Sequence, residues 1–277
     1  MKYLKSKKAQ LFNLGLVGIA TLALIIALIL FKPYEGKEQF QVGPKQFQMF
    51  NSFQESEKHL FYIDQAAKLS AQQAIYDLTS NAGFYTSRCG TYQNYGLWNE
   101  NCYPDYELNL KIYLTQNLNP YLTELDNLLP ETRVFSNNYE ISLIQKDSLN
   151  VIGTAVQPIK SIISRADQPQ NLAGRYHIYP SFSVQTDYDL ERFPILINQA
   201  FDLIDLCQDK TDNDLEDCIL DNIPDGWEPG PCRKPVVIQN RKCSFCYYTG
   251  KQILTYNNTS DKIEFRPIAY KFALDFS

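Results

Sequence analysis

The sequence predicts an α+β fold: an N-terminal transmembrane helix, long helices, then a mostly antiparallel sheet stapled by disulfides. Three observations carry this expectation. The run Leu11–Phe31 is uncharged and apolar; apolar residues then recur at three- and four-residue steps as far as Leu129; from Tyr139 onward several segments alternate with a period of two. Helices followed by a hairpin, another helix and a terminal sheet point to α+β rather than a βαβ series.

The chain has 277 residues, 44% hydrophobic and 21% charged, which suits a folded globular protein. Residues 1–31 hold Lys2, Lys5, Lys7 and Lys8 and no acid. Of the 26 basic residues, 22 therefore remain with all 31 acids, a net of −9 for the rest of the chain. An acidic body of this kind is a poor match to nucleic acid, where phosphate neutralisation dominates binding. No nucleic-acid partner is expected.

Leu11–Phe31 comprises 21 residues with one polar amide, Asn13. As a helix it is about 30 Å long, the thickness of the hydrocarbon core. Four lysines precede it, so residues 1–10 are expected as a cytoplasmic stub and the ectodomain as extracellular. The expected organisation is a stub (1–10), a transmembrane helix in the lipid bilayer (11–31), a polar stalk (32–48) and an extracytoplasmic domain (49–277). A cleaved secretory signal fits less well, because its apolar region is shorter and is followed by small residues.

Within the domain, Leu60, Ile63, Ala67, Ala71, Ala74, Ile75 and Leu78 form one helical stripe from about Phe50 to Thr79, ending at Asn81-Ala82-Gly83. Residues 83–106, rich in Gly, Asn and Tyr, read as a loop. Leu110, Leu114, Leu118, Leu122, Leu125 and Leu129 mark a second helix, which Pro120 is expected to kink or split. Tyr139–Gly153 reads as a β-hairpin turning at Lys146-Asp147-Ser148, and Arg175–Gln185 as one strand with Pro180 at an edge or bulge. Leu190–Cys207 returns to helical spacing. Three or four strands are expected over Pro235–Phe276, with Asn257-Asn258 as a turn.

The cysteines are Cys89, Cys102, Cys207, Cys218, Cys232, Cys243 and Cys246. An oxidising exterior favours disulfides. Spacing suggests local bridges: Cys89 with Cys102, Cys207 with Cys218, and Cys232 with Cys243 or Cys246, leaving one thiol over. Zinc is the rival reading, since Cys243-Ser-Phe-Cys246 has the gap of a zinc knuckle and Cys218 and Cys232 could add two thiolates. A second close pair is missing, and the reading adopted needs neither a metal nor a cofactor.

Catalytic motifs are absent from the sequence: there is no HExxH, GxSxG, P-loop or GxGxxG. His59 is expected as a solvated helix residue and His177 as a packed strand residue. Asp212-Asn213-Asp214-Leu215-Glu216 places oxygens at alternate positions, as a calcium loop does, but Asp217 and Ile223 stand where such a loop needs Gly and Glu. The stretch 205–228 reads as an acidic loop. Tyr92, Tyr95, Trp98, Tyr103 and Tyr106 cluster between the first two cysteines and just beyond them, and are the recognition-surface candidates. Asn257 and Asn258 begin two overlapping glycosylation sequons.

The junction Lys7-Lys8-Ala9-Gln10 before the apolar run resembles the class III signal segment of archaeal type IV pilin-like proteins. The resemblance implies processing between Ala9 and Gln10, with the helix retained. The fifth residue after that junction is Leu14, where pilins carry Glu. The run YIDQAAKLSAQQAIYDLTSNAGF, the Cys–Trp–Cys loop and the ending YKFALDFS resemble uncharacterised single-pass surface proteins of small-genome archaea, which implies topology and source but no chemistry. The expected function is a membrane-anchored binding or adhesion module, not an enzyme, whose partner is a surface protein or glycan. The alternatives are a pilin-like structural subunit and an extracytoplasmic hydrolase acting on glycan or peptide.

Overall fold

The computed structural model describes residues 42–128, 132–165, 168–232, 235–257 and 260–277. The membrane run, the Ala9–Gln10 junction and Asn258 lie outside these residues. No helix among the described residues is long and apolar enough to cross a membrane. The chain divides into two compact units, Met1–Phe50 and Asn51–Ser277; the second holds everything below apart from the first turns of α1.

Helix α1 (Val42–Ser80) starts earlier than expected, and residues 42–48, read as stalk, are its first residues. Pro44 sits in the first turn, where a missing N–H costs nothing, so it marks a start rather than a break. The stripe from Ile63 to Leu78 is buried. At the end of α1 the Gly83 N–H donates to the Leu78 carbonyl (2.7 Å). Gly83 is required here twice over. Its φ is +79°, and a Cβ would sit 2.8 Å from both Phe193 and Pro104.

Residues 83–106 are more ordered than a loop. Strands β1 (Thr91–Tyr92) and β2 (Tyr95–Trp98) form a small hairpin. Gln93 and Asn94 turn it, both at positive φ, as a two-residue primed turn needs. Helix α2 (Tyr106–Leu128) follows, with Pro120 inside one continuous helix and Leu110, Leu114, Leu118, Leu122 and Leu125 buried.

The chain then builds two small antiparallel sheets. One holds β3 (Thr132–Arg133), β6 (Ile159–Arg165) and β7 (Gln168–Ile178) in the order β3-β6-β7; the other holds β4 (Tyr139–Gln145), β5 (Leu149–Ala155) and β8 (Ser181–Thr186) in the order β4-β5-β8. The predicted hairpin is β4–β5, in register from Tyr139 opposite Ala155 to Gln145 opposite Leu149. Gly153 faces Phe182 across β5 and β8, and a Cβ there would lie 2.2 Å from the ring. The single strand expected over Arg175–Gln185 is instead two strands in different sheets. The switch falls at Tyr179-Pro180, where proline cannot continue a ladder.

Helix α3 (Arg192–Cys207) matches its prediction closely. The acidic stretch after it is not a loop: Asp212–Asn222 forms helix α4, which buries Leu215, Cys218 and Ile219. Two of its five acids, Asp212 and Asp214, lie in the first turn, the favourable end of the helix dipole. The calcium-like pattern is thus helical, with the Thr211 hydroxyl donating to Asp214 (2.6 Å). Among the described residues no group of acids, cysteines and histidines could hold a metal.

A five-stranded sheet closes the fold in the order β1-β2-β11-β10-β9, with β9 at Trp227–Pro229, β10 at Lys242–Asn257 and β11 at Lys262–Asp275. All pairs are antiparallel except β2 with β11. The C-terminal region is therefore two long strands, not three or four. A bulge between Tyr248 and Gln252, with Gly250 at φ +73°, takes the place of a further turn. Trp98 stacks on Phe272 (4.1 Å between ring centres), and Trp227 meets the same ring edge-on at 4.7 Å. These rings belong to one hydrophobic cluster with the buried stripes of α1, α2 and α3.

Three disulfides are present, Cys89–Cys102, Cys207–Cys218 and Cys232–Cys246. The open choice at Cys232 resolves to Cys246, which removes both Cys232 and Cys246 from a zinc site. Cys243 is the leftover thiol, buried on β10. Burial pushes that thiol up to about 12, so it stays protonated and unreactive at neutral pH.

Candidate functional site

The five aromatic candidates do not form one surface. Trp98 is fully buried and its indole N–H donates to the Ala82 carbonyl (2.9 Å). Tyr106 is half-buried, stacked on Phe193 at 5.2 Å. Tyr92 and Tyr95 lie across the hairpin from the Cys232 segment: the Tyr92 hydroxyl donates to the Val237 carbonyl (3.1 Å) and the Tyr95 hydroxyl to the Cys232 sulfur (3.6 Å). Tyr103 alone of the five is exposed, at 57%. Packing around the bridge and the sheet accounts for the cluster. Asn257 is half-buried, and its amide donates to Glu264 (2.8 Å).

Both histidines reverse their expected settings. His59 is 4% exposed and falls on the face of α1 that buries Ser52, Ser56 and Ile63, so burial lowers its pKa. His177 is exposed at the end of β7.

Among the hollows formed by the described residues is a groove of about 520 Å³ between α1, α2 and the outer ends of β10 and β11. Helix α1 contributes Leu69, Ser70, Gln73 and Asp77. Helix α2 contributes Asn117, Pro120 and Tyr121, and the strands contribute Leu254, Thr255, Tyr256 and Ile263. Its volume falls within the range of about 300–1,000 Å³ common for small-molecule sites.

The α1 and strand walls are locked together. Beyond its bulge β10 pairs, among the described residues, with β11 alone, and the N–H groups of Leu254 and Tyr256 point at α1. They donate to the side-chain oxygens of Gln72 (2.8 Å) and Gln73 (2.9 Å). The same Gln73 donates its amide to Asp77 Oδ1 (2.9 Å), and Asn117 from α2 donates to Asp77 Oδ2 (3.0 Å). Asp77 thus ties both helices to the sheet. Two buried hydroxyls beneath the groove, Ser70 Oγ and Thr255 Oγ1, have no hydrogen-bond partner among the described residues.

Burial raises the Asp77 pKa above its ordinary value of 3.8, and the amides of Asn117 and Gln73 oppose that shift. A raised carboxyl pKa favours the protonated, folded state. The Asp77 contribution to stability is therefore present in full below about pH 3.8 and is lost as pH rises through the raised value. We expect a ¹³C titration of the Asp77 carboxyl to give a midpoint above 3.8; a midpoint at or below it would show that the amides outweigh burial.

Reading the sequence alone passes over this groove. Its α1 signal is a polar set, Ser70, Gln73 and Asp77, at three- and four-residue steps beside the apolar stripe. Comparison of the chain with known protein families, curated proteins and solved structures gives no match.

Proposed function

We propose that the protein is a single-pass surface protein. Residues 11–31 anchor it in the bilayer with the N-terminus in the cytoplasm, and its disulfide-stapled domain serves outside as a binding or adhesion module for a surface protein or glycan. The observation that carries this reading is the set of three disulfides, because such bridges persist in oxidising compartments. The lysines before the apolar run favour the same orientation. Protease treatment of intact cells is expected to remove the domain. Survival of residues 34–277 on intact cells, with digestion only after lysis, would invert the topology.

A second reading, a pilin-like structural subunit, draws support from α1, which leaves Phe47, Met49, Phe50, Phe53 and Phe61 exposed. Helix-to-helix assembly would bury such residues. Mass spectrometry of the mature N-terminus separates the two: a chain beginning at Gln10 favours the subunit, and one beginning at Met1 or Lys2 excludes processing.

A further inference from the structure

The lining of the groove between α1, α2 and the β10–β11 ends selects a ligand by charge and by hydrogen-bonding capacity. Its only formal charge among the described lining residues is the Asp77 carboxylate, and no Lys, Arg or His lines it. A phosphate, sulfate or carboxylate ligand would face like charge and find no cation to pair with. A carboxylate offers about four acceptor positions. Gln73 and Asn117 occupy one on each oxygen, which leaves acceptor capacity for donors from a ligand.

Ser70 is 0% exposed and Thr255 2%, yet neither hydroxyl has a partner among the described residues. Buried hydroxyls are normally satisfied, and an unsatisfied one is costly. With so little accessible surface the two hydroxyls lie beneath the groove rather than open to it, and the polar groups a ligand reaches are those around Asp77. Two tyrosines line the walls. The Tyr256 ring is held by a hydrogen bond from its own hydroxyl to Asp261, and Tyr121 stands on α2. Aromatic faces of this kind pack against the C–H face of a sugar ring.

We infer that this groove binds a neutral saccharide ring, with Asp77 and the Gln73 and Asn117 amides beside it meeting the sugar hydroxyls and the tyrosines its apolar face. The inference rests on the reading of the domain as a surface binding module, and it names the partner as glycan rather than protein.

The test uses the full-length protein in lipid nanodiscs, because detergents with sugar headgroups would themselves present the ligand class. Saturation-transfer NMR is recorded with methyl glucoside, galactoside and mannoside, and with N-acetylglucosamine against glucosamine, which set a neutral group against an amine on the same ring. Sialic acid serves as the anionic probe. We expect at least one neutral pyranoside to bind, with sialic acid silent. Asp77→Asn and Tyr121→Ala should each weaken binding about tenfold.

Binding of no neutral saccharide would overturn the assignment, as would glucosamine binding alone or binding that both variants leave intact. The two readings fail separately. If the domain is shaved from intact cells and no sugar binds, the groove assignment falls and the surface module stands; if sugar binds and shaving fails, the reverse holds.

Discussion

Full reduction is expected to unfold the domain. The three bridges join residues 13, 11 and 14 apart in sequence. Closing a loop of this length removes chain entropy from the unfolded state worth about 3 kcal/mol per bridge. Together the bridges supply at most about 9 kcal/mol, comparable to the whole stability of a typical domain, about 5–15 kcal/mol. At roughly 2–4 °C per kcal/mol, calorimetry with and without a phosphine reductant should show Tm lower by about 20–35 °C. The Cys207–Cys218 bridge should matter most locally, because it holds α4 to the end of α3 and α4 buries only three side chains of its own. Thiol counting supplies a second reading. In denaturant without reductant one thiol, Cys243, should react; in the native protein at pH 8 none should, since burial keeps Cys243 protonated. A fall in Tm of less than about 5 °C on complete reduction would show that the core holds without its bridges.

Phe272→Ala should have the next largest effect. The ring is fully buried at the centre of the five-stranded sheet, between Trp98 and Trp227 and 5.9 Å from Phe245. Its removal leaves a cavity lined by rigid aromatics that cannot collapse into it, and such truncations cost about 3–5 kcal/mol. The expected loss in Tm is roughly 6–20 °C. Phe272→Leu, which keeps most of the volume, should cost less than the alanine variant. Trp98 and Trp227 are the only two tryptophans in the chain, and both touch Phe272. Intrinsic fluorescence therefore follows this site without a label. A change in Tm below about 3 °C for Phe272→Ala would mean that the cavity is refilled.

What could be read from the sequence was what local periodicity decides. The leucine stripe of α2, the alanine-rich stripe of α1, the β4–β5 alternation and the cysteine spacings each lie within a short stretch, and the structure reproduces them. The misses share a cause. Residues Asp212–Asn222 were dominated by their acids, although Leu215, Cys218 and Ile219 already have the three- and four-residue spacing of a buried helix face. Pro180 signals an irregularity within one strand, but nothing local says that the chain changes sheets there. The aromatic-rich stretch around Trp98 looks alike whether it packs inward or outward, and the strand β11 that covers Trp98 lies at the far end of the chain. The groove was least legible. Ser70, Asn117 and Thr255 come from three distant segments, and their meeting depends on the packing of two helices against a hairpin.

The two glutamines at the rim of that groove have a consequence beyond the site. Among the described residues the outer half of β10 has a strand on one side alone, and the other side is the kind of edge that recruits strands from other molecules. Gln72 and Gln73 occupy its Leu254 and Tyr256 donors and so stand in for a neighbouring strand. The solubility of the domain thus depends on which part lets go first under stress. While α1 stays docked, the edge is satisfied and copies of the protein pass one another without pairing. Once α1 detaches, even with the sheet intact, β10 becomes a template for other copies, and partial unfolding turns into self-association.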